Sequence, residues 1–244
     1  MSALGLAGRA LADTFRRGGR TFAVAPLAVA LVVVPEFLQH AAEIHLGMFD
    51  SREAARAVAN DPLRWGFGYA KLAGLSLAFL AAARVWWSRE QGGAAWWRAD
   101  RIDWLTLLVG GAIVFGVPSL AEPLRAVGQE RAAQVAEVVL SLATLPGTFH
   151  LLKGLYADRA VPVRAVWTTG WRFVPLLALL FVTAFAPAMA LHYATHALAY
   201  GKPLALVWLL MALDSLVVGL LASLVGAALY TAYAAFRARI AAVG

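Results

Sequence analysis

The sequence contains no cysteine, and only 14% of its 244 residues are charged. Without cysteine there is no disulfide bond, no thiolate metal ligand and no cysteine nucleophile. A typical soluble domain has about 25% charged residues, so this chain has too few charges to cover a water-exposed surface. The sequence also lacks the Walker, G-x-S-x-G and H-E-x-x-H motifs of soluble enzymes. It therefore favours a non-enzymatic protein with no catalytic residues and no cofactor.

Apolar residues, in contrast, make up 61% of the chain, and the mean hydropathy is +0.71. A helix needs about 20 apolar residues to cross the hydrocarbon of a membrane, and continuously apolar runs of this length exclude the strands of a barrel. We therefore predict an all-α, polytopic membrane protein with six transmembrane helices in a single transmembrane domain over 1–244. The six spans run about 22–46, 65–88, 104–124, 132–155, 173–198 and 204–232.

The Lys and Arg residues are distributed unevenly between the two ends of these spans. Fourteen lie before span 1, in the links 2–3 and 4–5 with the adjoining span ends, and in the C-terminal tail, whereas six lie in the other links. By the positive-inside rule both termini are cytoplasmic. The net charge of +7 is carried by short segments between apolar runs, which indicates contact with anionic lipid at the cytoplasmic face and not with nucleic acid. The predicted partners are the lipid bilayer and a membrane protein, which includes a second copy of the chain.

The first 20 residues are typical of an amphipathic helix at the membrane surface. Leu4, Leu11 and Phe15 share one face of this helix, whereas Arg16 lies off it. A frayed tail is the alternative interpretation. A second short interfacial helix is predicted over 160–170.

Two pairs of spans have similar sequences. In spans 1 and 5 a histidine follows an internal proline by five residues, and in spans 2 and 6 a charged residue follows a tryptophan by six. We predict that hairpins 1–2 and 5–6 are parallel repeats related by an axis along the membrane normal; chance similarity between apolar spans is the alternative. The matching pairs are Pro35 with His40, Pro187 with His192, Trp65 with Lys71, and Trp208 with Asp214.

Ionisable residues inside the spans are the main functional signal, because each costs about 2.5–3.5 kcal/mol to insert and therefore faces protein or water. On span 1, Glu36, His40 and Glu43 fall on one side of the helix, and His45 points to the opposite side. On span 5 two histidines are spaced i, i+4 and share a face. We predict an intramembrane polar cluster in the outer half of the membrane. Its members are Glu36, His40, Glu43, Lys71, His192, His196 and Asp214.

Lys71 and Asp214 occupy equivalent depths if the two hairpins are repeats, about 9 Å below the preceding tryptophans. Neither charge should face lipid. We expect either an ion pair between these two residues or two separate polar partners. Glu36 and His40 are the natural alternative partners for Lys71, because span 1 is joined to span 2 by a short loop.

Three interpretations of the cluster stay open. In the first, the polar groups are structural, and the protein acts by helix packing or by contact with lipid or partner proteins. In the second, they form the pathway of a small ion-, proton- or substrate-translocating protein. In the third, the protein is a membrane-embedded metal-binding protein or metalloenzyme that holds a transition-metal ion such as zinc or iron, or a haem bound by histidines of spans 1 and 5. The candidate metal ligands are His192, His196, His40 and Glu36.

Prolines inside the spans predict helix breaks, because the ring removes a backbone donor and clashes with the preceding turn. The strongest of these signals is a Pro-Gly pair in span 4. Each break either lines a cavity or only improves packing. The predicted break residues are Pro35, Pro146, Gly147 and Pro187.

One part of the chain has a recognisable arrangement of motifs. Leu145–Pro146–Gly147 ends an apolar run, Val161–Gly170 forms an amphipathic segment, and Trp171–Arg172 opens the next span. With these features, residues from about 139 to 185 resemble bacterial six-helix inner-membrane proteins of the YciC-like and glycerophosphodiester-phosphodiesterase-membrane-domain-like type. The resemblance implies a helical inner-membrane protein and carries over no catalytic residue.

Overall fold

The computed structural model describes residues 3–93 and 95–242, which form helices joined by turns and contain no strand. The prediction of an all-helical fold is therefore confirmed. The predicted domain over 1–244 also includes residues 1, 2, 94, 243 and 244, which lie outside the described residues, as do the first two positions of the predicted N-terminal helix. The α-helices are α1 (Ala3–Val24), α2 (Pro26–His45), α3 (Arg52–Ala57), α4 (Pro62–Glu90), α5 (Trp104–Gly111), α6 (Glu122–Ala126), α7 (Glu130–Thr144), α8 (Gly147–Tyr156), α9 (Val163–Thr168), α10 (Val174–Ala199) and α11 (Leu204–Ala241).

Among the described residues, five helical segments are long and apolar enough to cross a membrane, and a sixth is obtained if the bent pair α7–α8 counts as one. These segments overlap the six predicted spans one by one. The third segment passes from α5 to α6 through a π-helical turn at Ala112–Gly116 and a 3₁₀ turn at Pro118–Ala121. The five segments are Pro26–His45, Pro62–Glu90, Trp104–Ala126, Gly170–Ala199 and Leu204–Ala241.

The predicted break in span 4 coincides with a bend of 48° between α7 and α8. Pro146 precedes Gly147, the first residue of α8, so the proline ring lies where a backbone N–H would otherwise have continued the ladder of α7. Pro35 and Pro187 differ from this arrangement, because they lie inside α2 and α10 and both helices continue past them. At those two positions one missing donor is tolerated by the intact turns on either side.

Helices form at both segments that the sequence assigns to the membrane surface. The first, α1, ends at Val24, and Ala25 separates it from α2 with φ −151° and ψ 61°, outside the helical region. The end of α1 is held by the end of α4, since Arg17 pairs with Glu90 at 2.5 Å between Nη2 and Oε1. The second surface segment forms α9.

The contacts within the chain define two compact units. The described residues up to Trp96, together with Leu180–Ala228, form unit 1. Trp97–Leu179, together with the described residues from Leu229 onward, form unit 2. Every member of the predicted polar cluster belongs to unit 1.

In unit 2, α5 and α8 pack so closely that two glycines are required. A Cβ atom on Gly154 would lie 2.2 Å from the backbone nitrogen of Leu107, and one on Gly110 would lie 2.5 Å from Cα of Leu151. The backbone N–H of Asp103 donates to the carbonyl of Gly154 at 2.9 Å. Close backbone approach at small residues is the usual packing mode of helices in lipid.

Unit 2 also contains a buried carboxylate at the turn that follows α8. Asp158 accepts hydrogen bonds from the hydroxyl of Tyr233 at 3.1 Å and from Nε of Arg237 at 2.9 Å. Its other oxygen accepts from the backbone N–H of Ala160 at 3.0 Å. These bonds anchor the turn to the C-terminal part of α11.

In unit 1, α2 packs closely against both α4 and α11. A Cβ atom on Gly74 of α4 would lie 2.3 Å from the carbonyl oxygen of Leu31, and one on Gly219 of α11 would lie 2.6 Å from Cγ2 of Val33. Since neither contact leaves room for a methyl group, the depth and rotation of the three helices are restricted. This packing determines which polar side chains of the three helices meet.

Candidate functional site

The seven members of the polar cluster come from four helices of unit 1. Helix α2 contributes Glu36, His40 and Glu43, α4 contributes Lys71, α10 contributes both histidines, and α11 contributes Asp214. The side chains of Glu36, His40, Glu43 and Asp214 are at most 1% exposed. The cluster is therefore a buried group of charges and imidazoles and not part of a solvated helix face.

Asp214 is the centre of the cluster. Its Oδ2 atom lies 2.7 Å from Nδ1 of His192 and 2.9 Å from Nε2 of His40. Nε2 of His196 is 3.5 Å from the same oxygen and has no hydrogen-bond partner among the described residues. The other oxygen, Oδ1, lies 2.5 Å from the hydroxyl of Thr195. Three imidazole nitrogens thus converge on one carboxylate oxygen.

His40 lies between three carboxylates. Nδ1 is 3.0 Å from Oε2 of Glu43, and Nε2 is 3.2 Å from Oε1 of Glu36 in addition to its contact with Asp214. A neutral imidazole carries one N–H, so a neutral His40 can donate on one side only. The other ring nitrogen therefore needs either a proton or an electrophile such as a metal ion.

Glu43 is held firmly in place. Its Oε1 atom accepts hydrogen bonds from Nε2 of Gln39 at 3.0 Å and from Nε of Arg64 at 3.0 Å. Oε2 is left to face His40. The orientation of the His40 ring is consequently determined by a carboxylate that is itself oriented by two donors.

Lys71 and Asp214 do not form an ion pair with each other. Nζ of Lys71 lies 3.4 Å from Oε1 of Glu36, whereas Asp214 contacts the histidines. Of the two expected arrangements, the structure has the one with separate partners. The second oxygen of Glu36, Oε2, has no hydrogen-bond partner within the described part of the chain although its side chain is 0% exposed.

The sequence also made predictions about His45 and about the repeated proline–histidine spacing. His45 is exposed on α2 and takes no part in the cluster, as its position on the helix predicts. His40 and His192, the two histidines that each follow a proline by five residues, both contact Oδ2 of Asp214. That similarity is compatible with repeated hairpins, and the repeat stays a prediction.

Sequence reasoning missed Gln39, Arg64 and Thr195 as members of the site. Helical spacing could have identified two of them. Gln39 lies four residues before Glu43, and Thr195 lies three residues after His192 and directly before His196. Arg64 carries no such signal, since in the sequence it counts only as a basic residue near a span end. Its contact with Glu43 joins residues 21 positions apart.

The charges of the cluster do not balance when the imidazoles are neutral. Three carboxylates, those of Glu36, Glu43 and Asp214, face two fixed cations among the described residues, Lys71 and Arg64. A buried unpaired carboxylate is costly unless a proton or a cation compensates it. The cluster is therefore built to hold one additional positive charge.

The additional positive charge could be a metal ion, because several nitrogen and oxygen donor atoms of the cluster lie close enough together to bind one. His40, His196 and Asp214 each offer one atom within 4.8 Å of the others, and so do Glu36, His192 and Asp214. Imidazole nitrogen with carboxylate oxygen is a ligand set for zinc or iron.

Comparison with family models, with curated proteins and with solved structures found no match for this chain.

Proposed function

We propose that the chain is an integral protein of the bacterial inner membrane with six transmembrane spans in one transmembrane domain. The bent pair α7–α8 supplies the fourth span, α1 and α9 lie at the membrane surface, and both termini are cytoplasmic. Support comes from the five or six long apolar helices and from the excess of Lys and Arg on the predicted cytoplasmic side.

Reporter fusions test this topology. Fusions after Asp61 and after Gly128 are expected to be active with a periplasmic reporter, alkaline phosphatase, and inactive with a cytoplasmic one, because both residues lie on the side that carries six Lys and Arg residues against fourteen on the other. A fusion after Gly92, in the turn that follows α4, is the control and should give the opposite pattern. A cytoplasmic signal at Asp61 or Gly128 would contradict the proposed orientation.

We further propose that the polar cluster binds one transition-metal ion, with zinc and ferrous iron as the candidates. The candidate ligands form two triads that share Asp214, one with His40 and His196 and the other with Glu36 and His192. The proposal is carried by one observation: three imidazole nitrogens lie within 3.5 Å of a single carboxylate oxygen in a buried site.

The distances are compatible with such an ion. Ligand atoms at about 2.0–2.1 Å from a tetrahedral zinc lie about 3.4 Å apart. Nε2 of His196 is 3.5 Å from Oδ2 of Asp214, and Nε2 of His40 is 3.2 Å from Oε1 of Glu36. The contacts at 2.7 and 2.9 Å would need to lengthen by about 0.5–0.7 Å to reach the ligand separation of a tetrahedral zinc site.

The surroundings of His40 also match a metal ligand. Histidine ligands usually donate their second N–H to a carboxylate, which fixes the tautomer and the ring orientation. Glu43 is in that position for Nδ1 of His40, and Arg64 and Gln39 hold Glu43. Nε2 of His40 is then free of its proton and faces Asp214.

A purely structural role accounts for the cluster less well. Hydrogen bonds alone leave Nε2 of His196 and Oε2 of Glu36 without partners among the described residues, and buried polar groups normally have partners. A cation at the centre would satisfy the imidazole and compensate the third carboxylate. The proposal concerns metal binding, and it assigns no catalytic role to any residue.

Metal analysis distinguishes these functions. The full-length protein is purified in detergent, stripped with a chelator, loaded with zinc or ferrous iron and freed of excess ion. We expect about one ion per chain for the wild type, because structural and buried sites bind with large free energies. His40→Gln should bind close to background, whereas His45→Gln should bind like the wild type, since His45 is exposed on the same helix.

Both variants must first elute as monodisperse species. If His40→Gln fails to fold, His192→Gln replaces it, because His192 is partly exposed. A wild-type protein without bound metal, or equal losses in the His40 and His45 variants, would reject the metal site in favour of a structural cluster.

A further inference from the structure

A cavity of about 430 Å³ lies beside the polar cluster in unit 1. It is formed by α3, the loop before it, the start of α4 and the end of α10. Its volume falls within the range of about 300–1,000 Å³ that is typical of small-ligand sites. The lining residues on which the inference depends are Arg52, Arg56, Arg64, Tyr193, His196 and Tyr200.

The described residues that line the cavity are cationic, aromatic or apolar, and none of them is a carboxylate. Arg52 and Arg56 are one helical turn apart on α3, so their guanidinium groups are on the same face. Neither forms a salt bridge within residues 3–93 and 95–242. Two like charges on one face repel each other, and an anion between them would remove that repulsion.

Arg64 is partly committed to other partners. Its Nε atom donates to Glu43 and its Nη1 atom donates to the carbonyl of Ala59 at 3.0 Å. The third nitrogen, Nη2, makes no hydrogen bond to any described residue. Two bonds therefore fix the direction of the guanidinium, which still has donors to offer at the cavity.

The three arginines of the cavity lie on the predicted outer side of the membrane, where the positive-inside rule disfavours basic residues. Only six Lys and Arg residues lie in links on the predicted outer side, and three of the six line this one cavity. Basic residues are disfavoured on that side of a membrane protein. Their concentration around one cavity indicates a binding role and not an orientation signal.

We propose that this cavity binds a phosphate group, either of a soluble phosphate compound or of an anionic phospholipid headgroup. Guanidinium groups bind phosphate oxygens with two parallel hydrogen bonds, and the hydroxyls of Tyr193 and Tyr200 can add neutral donors. His196 belongs both to this lining and to the polar cluster. The cavity site stands on its own lining residues and does not depend on a metal ion.

Two binding measurements on the full-length protein test the proposal and identify the source of the phosphate. In the first, inorganic phosphate is titrated calorimetrically into protein in a phosphate-free detergent. In the second, native mass spectrometry counts bound dioleoylphosphatidylglycerol, with dioleoylphosphatidylcholine as the zwitterionic comparison. A soluble ligand predicts binding in the first measurement, whereas a lipid headgroup predicts binding of phosphatidylglycerol alone.

The double variant Arg52→Gln/Arg56→Gln should bind the phosphate probe roughly tenfold more weakly for each guanidinium that contacts it. The matched control is Arg131→Gln/Lys202→Gln, which removes two exposed basic residues of the predicted outer side that do not line the cavity and should change binding less than about twofold. The proposal would be overturned if the wild type bound neither inorganic phosphate nor phosphatidylglycerol. Equal losses of binding in the two double variants would also overturn it. Metal-stripped His192→Gln should bind phosphate like the wild type in the same titration. The proposals of a metal site and of a phosphate site can therefore be rejected independently of each other.

Discussion

Replacing Asp214 with asparagine is expected to lower the affinity for zinc by roughly 10²–10³-fold. Structural zinc sites bind with about 10–16 kcal/mol shared among four ligands, so the loss of one ligand costs about 2.5–4 kcal/mol, and each 1.4 kcal/mol is a factor of ten. The effect should be among the largest in the protein, because Oδ2 of Asp214 is the one atom that all three imidazoles approach. Asparagine has nearly the same shape and can still accept from Thr195.

Competition with a fluorescent chelator of known zinc affinity measures this loss. Glu43→Gln is the matched comparison, because Glu43 is an equally buried carboxylate of the same cluster that orients His40 and is not proposed to touch the ion. Loss of such an orienting carboxylate typically costs about 10–100-fold in metal affinity. Wild-type affinity in Asp214→Asn, or a larger loss in Glu43→Gln, would show that Asp214 is not the central ligand.

Replacing Lys71 with methionine is expected to destabilise the metal-free protein by up to about 3–5 kcal/mol, since it leaves the buried carboxylate of Glu36 without its cation. Lys71 is 21% exposed, so water compensates part of the loss and the lower end of this range is expected. The double variant Lys71→Met/Glu36→Gln should recover most of the stability, because removal of both members of a buried pair is often nearly neutral. The measurement is chemical unfolding in detergent with a chelator present.

The same experiment distinguishes Glu36 from Asp214, two of the partners that the sequence left open for Lys71. If Glu36 is the partner, Lys71→Met should couple more strongly to Glu36→Gln than to Asp214→Asn, because Asp214 is connected to Lys71 only indirectly, through His40 and Glu36. Lys202→Met, at an exposed lysine, controls for the loss of a positive charge and should have little effect. Recovery in Lys71→Met/Asp214→Asn instead of Lys71→Met/Glu36→Gln would contradict the pairing described above.

The sequence alone determined the helical segments, because the hydrogen-bonding requirement of a long apolar run is met within the run itself. A stretch of some 20 apolar residues can satisfy its backbone in lipid only as a helix, and this requirement does not depend on the neighbouring segments. The bend at Pro146–Gly147 follows from local chemistry in the same way. The start of α2 at Pro26 was missed, although a proline disfavours the helical conformation at the residue before it, here Ala25, and favours the first position of a helix.

Within one helix the sequence also determined which side chains share a face. The 3.6-residue period brings Glu36, His40 and Glu43 to one side of α2, leaves His45 on the other, and places His192 and His196 together on α10. These relations are properties of a single helix, so no knowledge of packing was needed.

Only the tertiary structure decided how those faces meet. Asp214 is the centre of the cluster, Lys71 pairs with Glu36, and Arg64 holds Glu43; each is a contact between different helices. Such contacts depend on the depth and rotation of each helix, which are limited by backbone approach at Gly74 and Gly219. Nothing in a linear sequence specifies those two quantities, because they follow from the shapes of whole helix surfaces packed against each other.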